Sequence, residues 1–264
     1  MRILILSNDH MYSNIALKDF LKENHKDMVG IIFPDFVVSG KSFLQSVGFL
    51  LKKKCGMFYA YKWFEDNVYR IKTLLGLGKL NFYSHYSKKY DFPIFKTLNI
   101  NDEETIKLIK KLKPDVIYSV SYPQKIKEEV LKIPKKGCIN FHDSLLPQYR
   151  GMCAYFWITA NNEKKGGVTA HYIDKELDTG EIVLQKEYNI ASNDSMQKTY
   201  YKSSKLIGKM IFEVHNKLKE DKIKSYHQKN YKESYFSWPN DEGQKLFKKN
   251  KKKIFRFVEL WNSI

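Results

Sequence analysis

Short apolar runs alternate with helical patterns along the first part of the chain. Residues 2–7 form an apolar run that ends in polar residues, and residues 27–34 form a second run. A helical pattern from about Ser13 to Lys22 separates them. Apolar strands joined by helices are typical of a parallel sheet that is covered on both faces. The pattern therefore predicts an α/β fold.

The region around residue 110 repeats this alternation, with signals for the start and the end of a helix. Asn101 is the predicted N-cap, and Glu104 three residues later completes a capping box. Pro114 ends the helix, and the apolar residues 116–120 predict the next strand. This segment therefore adds another helix and another strand to the predicted sheet.

The pattern changes after the next strand. A predicted helix from about Gln124 to Leu131 leads to the strand "GCINF", and the segments "GGVTAHYID" and "GEIVLQKEYNI" then alternate like a pair of strands. Asp194 or Ser195 caps a long helix. Its apolar stripe predicts a packing face formed by Leu206, Ile207, Met210, Ile211, Val214 and Leu218. We therefore predict a mainly parallel, twisted, doubly wound sheet with helices on both faces.

Two segments rich in aromatic residues and lysine lie outside this sheet. We predict a core of residues 1–190 with a helical, aromatic insertion at about 41–90, followed by a C-terminal helix and a short basic extension at 191–264. The aromatic residues of the extension are expected to dock on the core: Tyr235, Trp238, Phe247, Phe255 and Trp261. The insertion is expected to pack in the same way, and its location on an anionic membrane surface is the open alternative.

The net charge of +17 raises the question of a nucleic-acid partner. The excess is almost entirely lysine, whereas specific recognition of bases and phosphates relies on the planar fork of arginine. The chain has four arginines: Arg2, Arg70, Arg150 and Arg256. Nucleic acid is therefore not the expected partner.

The cysteines and the N-terminus indicate the compartment. Cys55, Cys138 and Cys153 are odd in number and form no CxxC pattern, so we expect reduced cysteines and no structural metal. The chain has no long apolar run and no secretory pattern at its start. We therefore expect a cytoplasmic protein.

Polar side chains stand where the strand around Phe141 ends. Asn140 and His142 are two residues apart and so project to one side, at the edge where open α/β sheets bind ligands. Asp174 and Asp178 follow in a turn between two predicted strands. An amide and an imidazole can stabilise an oxyanion beside a carboxylate, which suits acyl transfer, although structural His–Asp pairs show the same pattern. The sequence contains no GxSxG elbow, so direct attack by an amine is the expected mechanism.

The segments "INFHDSLLPQYRG" and "GVTAHYIDKELDTGEIVLQ" resemble the folate-dependent formyltransferases, which include glycinamide ribonucleotide, methionyl-tRNA and amino-sugar formyltransferases. Together with "PDVIYSVSYPQKIKEEVL", the resemblance covers residues 100–190. It implies a Rossmann-like fold and 10-formyltetrahydrofolate as the formyl donor. It also implies that Asn140 and His142 stabilise the oxyanion, and that Asp178 pairs with His142 and helps to move the proton.

The resemblance further implies where the two substrates bind. The donor-site residues are Ser121, Gln124, Ile126 and Asp174. The residues expected on the acceptor side are Ser7, Asn8, His10 and Arg150. The open alternative for the "SNDH" segment is an ordinary turn at the end of a strand.

The acceptor is less clearly indicated than the donor. The tRNA enzymes of the family carry a C-terminal barrel, and about 45 residues follow Lys219 here. The ribonucleotide enzymes use a glycine-containing phosphate loop, and "SNDHMYSN" has no glycine. We therefore expect a nucleotide-linked amino sugar destined for a surface polysaccharide such as lipopolysaccharide. A tRNA enzyme with a reduced C-terminal part and a non-catalytic RNA- or membrane-binding module remain alternatives, and the oligomeric state, a dimer included, stays open.

Overall fold

The computed structural model describes residues 1–34, 56–77, 80–228 and 233–256, and the single positions 45, 48 and 259. Cys55, Trp261 and most of the predicted insertion before residue 56 lie outside these residues. The strands are β1 (Ile3–Leu6), β2 (Met28–Pro34), β3 (Ile94–Thr97), β4 (Val116–Val120), β5 (Cys138–His142), β6 (Arg150–Gly151), β7 (Lys165–Tyr172), β8 (Ile182–Asn189) and β9 (Tyr235–Phe236). The helices are α1 (Met11–Asn24), α2 (Gly56–Leu74), α3 (Tyr83–Tyr90), α4 (Glu103–Leu112), α5 (Glu128–Leu131), α6 (Ala154–Ala160), α7 (Met196–Lys219) and α8 (Asp241–Lys249), and a 3₁₀ turn (His25–Asp27) follows α1.

A seven-stranded sheet in the order β3-β2-β1-β4-β5-β7-β8 forms the centre of the fold. The strands from β3 to β5 pair in parallel, and β7 pairs antiparallel with both β5 and β8. The predicted Rossmann-like, mainly parallel sheet and its added pair of strands are therefore confirmed. A second, small sheet pairs β6 with β9.

Alternate residues of β1 enter two different cores. Ile3 and Ile5 join the core formed with α1 and α7, whereas Leu4 and Leu6 join the core on the α4 side. All four side chains are fully buried. Because successive side chains of a strand point to opposite faces, this division confirms that helices cover both faces of the sheet.

The predicted N-cap of α4 is wrong by one residue. Asp102 is the N-cap, and its carboxylate accepts a hydrogen bond from the Thr105 N–H at 2.7 Å. Asn101 instead donates to the Lys125 carbonyl at 2.9 Å and accepts from the Lys127 N–H at 2.7 Å. Both residue types cap helices well, so a contact distant in sequence decides between them.

The helix predicted from Gln124 begins later, at Glu128. The side chain of Gln124 accepts a hydrogen bond from the Ile100 N–H and donates to the Leu98 carbonyl, each at 2.7 Å. These two bonds tie the segment before α5 to the loop after β3. The helical pattern of the segment is therefore overridden by tertiary hydrogen bonds.

The long helix α7 begins as predicted. Ser195 is its N-cap and accepts from the Lys198 N–H at 3.1 Å. Ile207, Met210 and Ile211 lie in the same core as β1. The predicted division of the chain near residue 190 stays a prediction.

The described part of the insertion packs on the core. Phe58, Tyr61 and Tyr69 of α2 are buried in a cluster with Phe156 of α6. The described part of the C-terminal extension contributes Phe247, Ile254 and Phe255 to the same cluster. Tyr235 does not dock as predicted, because β9 pairs with β6 through its backbone and leaves this side chain 59% exposed. Within the described residues, the structure has no helix that is long and apolar enough to cross a membrane.

Candidate active site

Four polar side chains meet beside the carboxyl end of β5. Asn140 and His142 belong to β5, His171 belongs to β7, and Asp178 lies in the turn between β7 and β8. The antiparallel register of β5 and β7 places Asn140 directly opposite His171. The structure therefore brings together the predicted trio and adds a second histidine.

Asp178 is the centre of this group. Its Oδ2 lies 3.7 Å from His142 Nδ1, and its Oδ1 lies 3.5 Å from His171 Nε2 and 3.4 Å from Asn140 Nδ2. Burial alone would raise the pKa of Asp178. The charge of His142 and the hydrogen bond from the Gly151 N–H at 2.9 Å outweigh burial, so the pKa of Asp178 lies well below its usual range. Asp178 is therefore a carboxylate at neutral pH.

His142 has one nitrogen committed to the backbone. Its Nε2 lies 2.8 Å from the Tyr149 carbonyl, which can only accept, so Nε2 carries a proton. Burial lowers the pKa of His142. The carboxylates of Asp178 and Asp143 and the bond to Tyr149 raise this pKa by more than burial lowers it, so the net shift is upward. The site therefore favours an imidazolium whose Nδ1–H faces Asp178.

His171 was not identified from the sequence. Its Nδ1 lies 2.8 Å from the Tyr172 carbonyl and therefore donates, which leaves Nε2 free to accept from Asn140 Nδ2 at 3.2 Å. This bond orients the amide of Asn140 with its nitrogen toward Asp178. His171 stands within the motif "GVTAHYID", but its role depends on a strand register that cannot be read from one segment.

Arg150 holds the Asp178 turn in place. Its Nε donates to the Asp178 carbonyl at 3.1 Å, and its two terminal nitrogens donate to Glu233 and Gln228, each at 2.8 Å. Gln228 in turn donates to the Asp178 carbonyl at 2.9 Å. Asp178 itself adopts a left-handed backbone conformation, with φ of 56°. Arg150 was predicted on the acceptor side, and this prediction remains untested, but its guanidinium is engaged with the turn.

Two glycines of the paired motifs sit where a side chain has no room. A Cβ at Gly180 would lie 1.8 Å from the Tyr172 carbonyl oxygen. A Cβ at Gly151, which has φ of 99°, would lie 2.2 Å from the Phe236 carbonyl oxygen. Glycine, which has no Cβ, therefore permits the close approach of the backbone at both positions.

The predicted donor-site residues lie in two neighbouring segments. Two exposed ion pairs link the segment after β4 to the Asp178 turn. Lys125 lies 3.8 Å from Glu176, and Glu128 at the start of α5 lies 3.4 Å from Lys175. In these segments, Ile126 is buried, Gln124 is engaged as described above, and Asp174 accepts from Thr179 Oγ1 at 2.7 Å. Ser121 has φ of 55° and is half-buried. Their contact with a donor stays a prediction.

The predicted acceptor-side residues connect the end of β1 to β4. Ser7 Oγ is buried and donates to the Val120 carbonyl at 3.0 Å, and Asn8 Nδ2 donates to the Ser121 carbonyl at 2.6 Å. Burial, aided by the charge of nearby Lys62, lowers the pKa of His10 to about 3. His10 is therefore neutral at physiological pH, and a role of these residues toward the acceptor stays a prediction.

A stack of tyrosines begins beside the site and was not predicted. Asp143 follows His142 and accepts from the Tyr155 N–H at 3.3 Å. The ring of Tyr155 stacks on Tyr200, and Tyr200 stacks on Tyr12, with centroids 3.8 Å apart in both pairs. Burial raises the pKa of Asp143. This stack joins α1, α6 and α7.

The chemistry of the site is that of charge stabilisation and proton transfer. The four converging side chains include no serine or cysteine, and burial raises the pKa of the Cys138 thiol to about 12. Among the described residues, no group of three His, Cys, Asp or Glu side chains is placed to hold a metal ion. The amide of Asn140 and the imidazolium of His142 supply hydrogen-bond donors beside an ionised carboxylate.

Known proteins are similar to this chain in sequence and in fold. A family model described as formyl transferase matches residues 70–215. Methionyl-tRNA formyltransferase of Clostridioides difficile (strain 630) is 46% identical over 103 residues, which cover 39% of this chain and 33% of that protein. The chain therefore spans about a third of the length of that relative.

Two solved structures are similar over most of this chain. The N-formyltransferase of Helicobacter canadensis, in complex with folinic acid and dTDP-3-aminofucose, has a TM-score of 0.60 at 19% identity and covers 90% of this chain and 71% of its own. The formyltransferase PseJ of Anoxybacillus kamchatkensis, in complex with UDP-4,6-dideoxy-4-formamido-L-AltNAc and tetrahydrofolate, has a TM-score of 0.52 at 26% identity and covers 66% of this chain and 88% of its own.

Proposed function

The chain belongs to the formyl transferase family, and from this premise we propose that it transfers a formyl group from 10-formyltetrahydrofolate to the amine of a nucleotide-linked amino sugar. One observation carries the proposal. The ionised carboxylate of Asp178 faces the imidazolium of His142 at 3.7 Å and the amide of Asn140 at 3.4 Å. Two hydrogen-bond donors and a carboxylate therefore stand together, and a formyl transfer requires groups of these kinds.

The reaction proceeds by direct attack. The free amine of the acceptor forms a bond to the formyl carbon, and negative charge develops on the formyl oxygen. Asn140 Nδ2–H and His142 Nδ1–H stabilise this oxyanion, and Asp178 accepts the proton that the amine loses. The bond from the formyl carbon to N10 of the folate then breaks, and Asp178 passes the proton from the amine to N10, which restores its carboxylate. No covalent intermediate with the protein is required.

The nucleotide-linked amino sugar is supported by the 26% identical neighbour PseJ, whose complex contains a formylated sugar nucleotide. The segment "SNDHMYSN" after β1 also contains no glycine, so it is not a glycine-containing phosphate loop. Ser7 and Asn8 are instead bonded to β4 and to the loop after it. The donor is supported by the tetrahydrofolate in the same complex and by the Lys125–Glu176 ion pair, which joins the segments that contain Ser121 and Asp174.

Methionyl-tRNA is the second candidate acceptor. The observation that favours it is the 46% identity over 103 residues to a methionyl-tRNA formyltransferase. That match covers 33% of the relative, so it leaves two thirds of that protein unmatched.

The experiment offers the purified protein 10-formyltetrahydrofolate with one of three acceptors: nucleotide-linked amino sugars, methionyl-tRNA or glycinamide ribonucleotide. We expect release of tetrahydrofolate with an amino sugar, and loss of this release in His142→Ala. Release with methionyl-tRNA alone would refute the amino sugar as acceptor. An absence of release with all three acceptors would refute the formyltransferase activity itself.

A further inference from the structure

The outer side of α2 carries an exposed apolar surface. Of the ten large apolar side chains that are exposed in the described part of the chain, six lie between residues 63 and 77. Trp63 is 71% exposed and Leu74 is 77% exposed. The six side chains, which we call the α2 outer face, are Trp63, Phe64, Ile71, Leu74, Leu75 and Leu77. Large apolar side chains grouped in this way mark an interaction surface.

The orientation of α2 is fixed by its opposite side. Glu65 is 1% exposed, and its carboxylate accepts from Tyr12 at 2.5 Å, from Tyr61 and from Lys62 at 2.6 Å. Rotation of the helix would bring the outer face inward only by leaving this buried carboxylate without partners, which is strongly unfavourable. The outer face is therefore a stable feature of this helix.

The charges of α2 and of the whole chain indicate which kind of partner binds the α2 outer face. Arg70 lies one helical turn before Leu74 and is exposed, and Lys72 belongs to the same helix. The two acidic residues of α2 lie elsewhere: Glu65 is buried, and Asp66 interacts with Lys62 and Arg70. The chain as a whole carries a net charge of +17, which opposes the approach of a second copy and attracts an anionic surface.

We propose that the α2 outer face docks the protein on an anionic lipid bilayer, with its tryptophan and leucine side chains entering the interface. Helices with one apolar face and adjacent basic residues bind bilayers in this way, lying in the plane of the membrane. Each basic residue close to an anionic surface adds to the attraction. The docking surface is separate from the residues around Asp178, so the proposal does not depend on the reaction that they catalyse.

The test measures co-sedimentation of the full chain with vesicles of equimolar phosphatidylcholine and phosphatidylglycerol, and with vesicles of phosphatidylcholine alone. We expect binding to the anionic vesicles that weakens as salt is added. Trp63→Ser and Leu74→Ser should each weaken this binding about tenfold, the scale expected for removing one buried apolar side chain. Leu98→Ser is the matched control, because Leu98 is 67% exposed on a different segment, and it should bind as the wild type does.

A second measurement identifies the contact itself. Tryptophan emission should shift to shorter wavelength on binding, and Trp63→Phe should abolish most of this shift while it preserves binding, because the apolar ring is retained. Thermal melting of each variant checks the fold. Equal binding to both vesicle types, no binding, or unchanged binding of both serine variants would overturn the proposal. So would a concentration-dependent dimer that Trp63→Ser and Leu74→Ser dissociate, since a second copy would then cover the face.

Discussion

Asp178→Asn removes the charge that faces His142 while it preserves the shape of the side chain. Asp178 Oδ2 lies 3.7 Å from His142 Nδ1, and both groups are largely shielded from water. Unit charges at this separation interact with about 4 kcal/mol at the effective dielectric constant of a protein interior. Loss of this attraction therefore lowers the pKa of His142. The imidazolium of His142 would then be less favoured, and the neutral ring cannot offer Nδ1–H to an oxyanion while Nε2–H remains bonded to Tyr149.

We therefore expect kcat to fall at least about a hundredfold in Asp178→Asn, the scale for losing a base and a charged donor together. His142→Ala and Asp178→Ala should each show a loss of at least about a hundredfold for the same reason. The assay is the release of tetrahydrofolate with saturating donor and acceptor across a range of pH. Glu187→Gln is the matched control, because Glu187 forms an exposed ion pair with Lys165 at 2.7 Å on the sheet edge.

The reasoning would be refuted by near-normal turnover of Asp178→Asn in a protein that melts like the wild type. It would equally be refuted if the proton resonances of His142 titrated at the same pH in the variant and the wild type. The first result would remove Asp178 from the chemistry, and the second would show that its charge does not control His142.

Three further predictions follow from the same contacts. Asp143→Asn removes one of the charges that raise the pKa of His142, so the loss of activity as the pH rises through that pKa should occur at lower pH, as measured by kcat against pH. The depressed pKa of Asp178 stabilises the folded state at pH values above the pKa in the unfolded chain, about 3.9, and this stability is lost as the pH falls through the pKa in the folded state. The unfolding free energy, measured as the pH is lowered, should therefore fall less for Asp178→Asn than for the wild type. Gly180→Ala places a Cβ 1.8 Å from the Tyr172 carbonyl, and it should cost about 1–3 kcal/mol in denaturant unfolding and displace the Asp178 turn. An alanine variant with unchanged stability and turnover would contradict that close approach.

The elements that the sequence predicts correctly depend on local signals, and those that it misses depend on contacts between residues distant in sequence. The strands β1, β2 and β4 were predicted within one residue at either end, because their apolar runs and the proline after α4 are local signals. The N-cap of α4 and the start of α5 were missed, because hydrogen bonds of Asn101 and Gln124 to distant segments decide them. Hydrogen bonds between distant parts of the chain leave no periodic signal in either segment.

The candidate site shows the same division. The sequence by itself determined that Asn140 and His142 share one side of a strand end, and that two paired motifs supply a carboxylate to them. The tertiary structure alone decided that His171 orients Asn140 and that Asp178 is ionised between two imidazoles. The physical reason is that side-chain alternation and helical period act within one element, whereas strand register, burial and the charges that shift a pKa arise only when distant elements pack together.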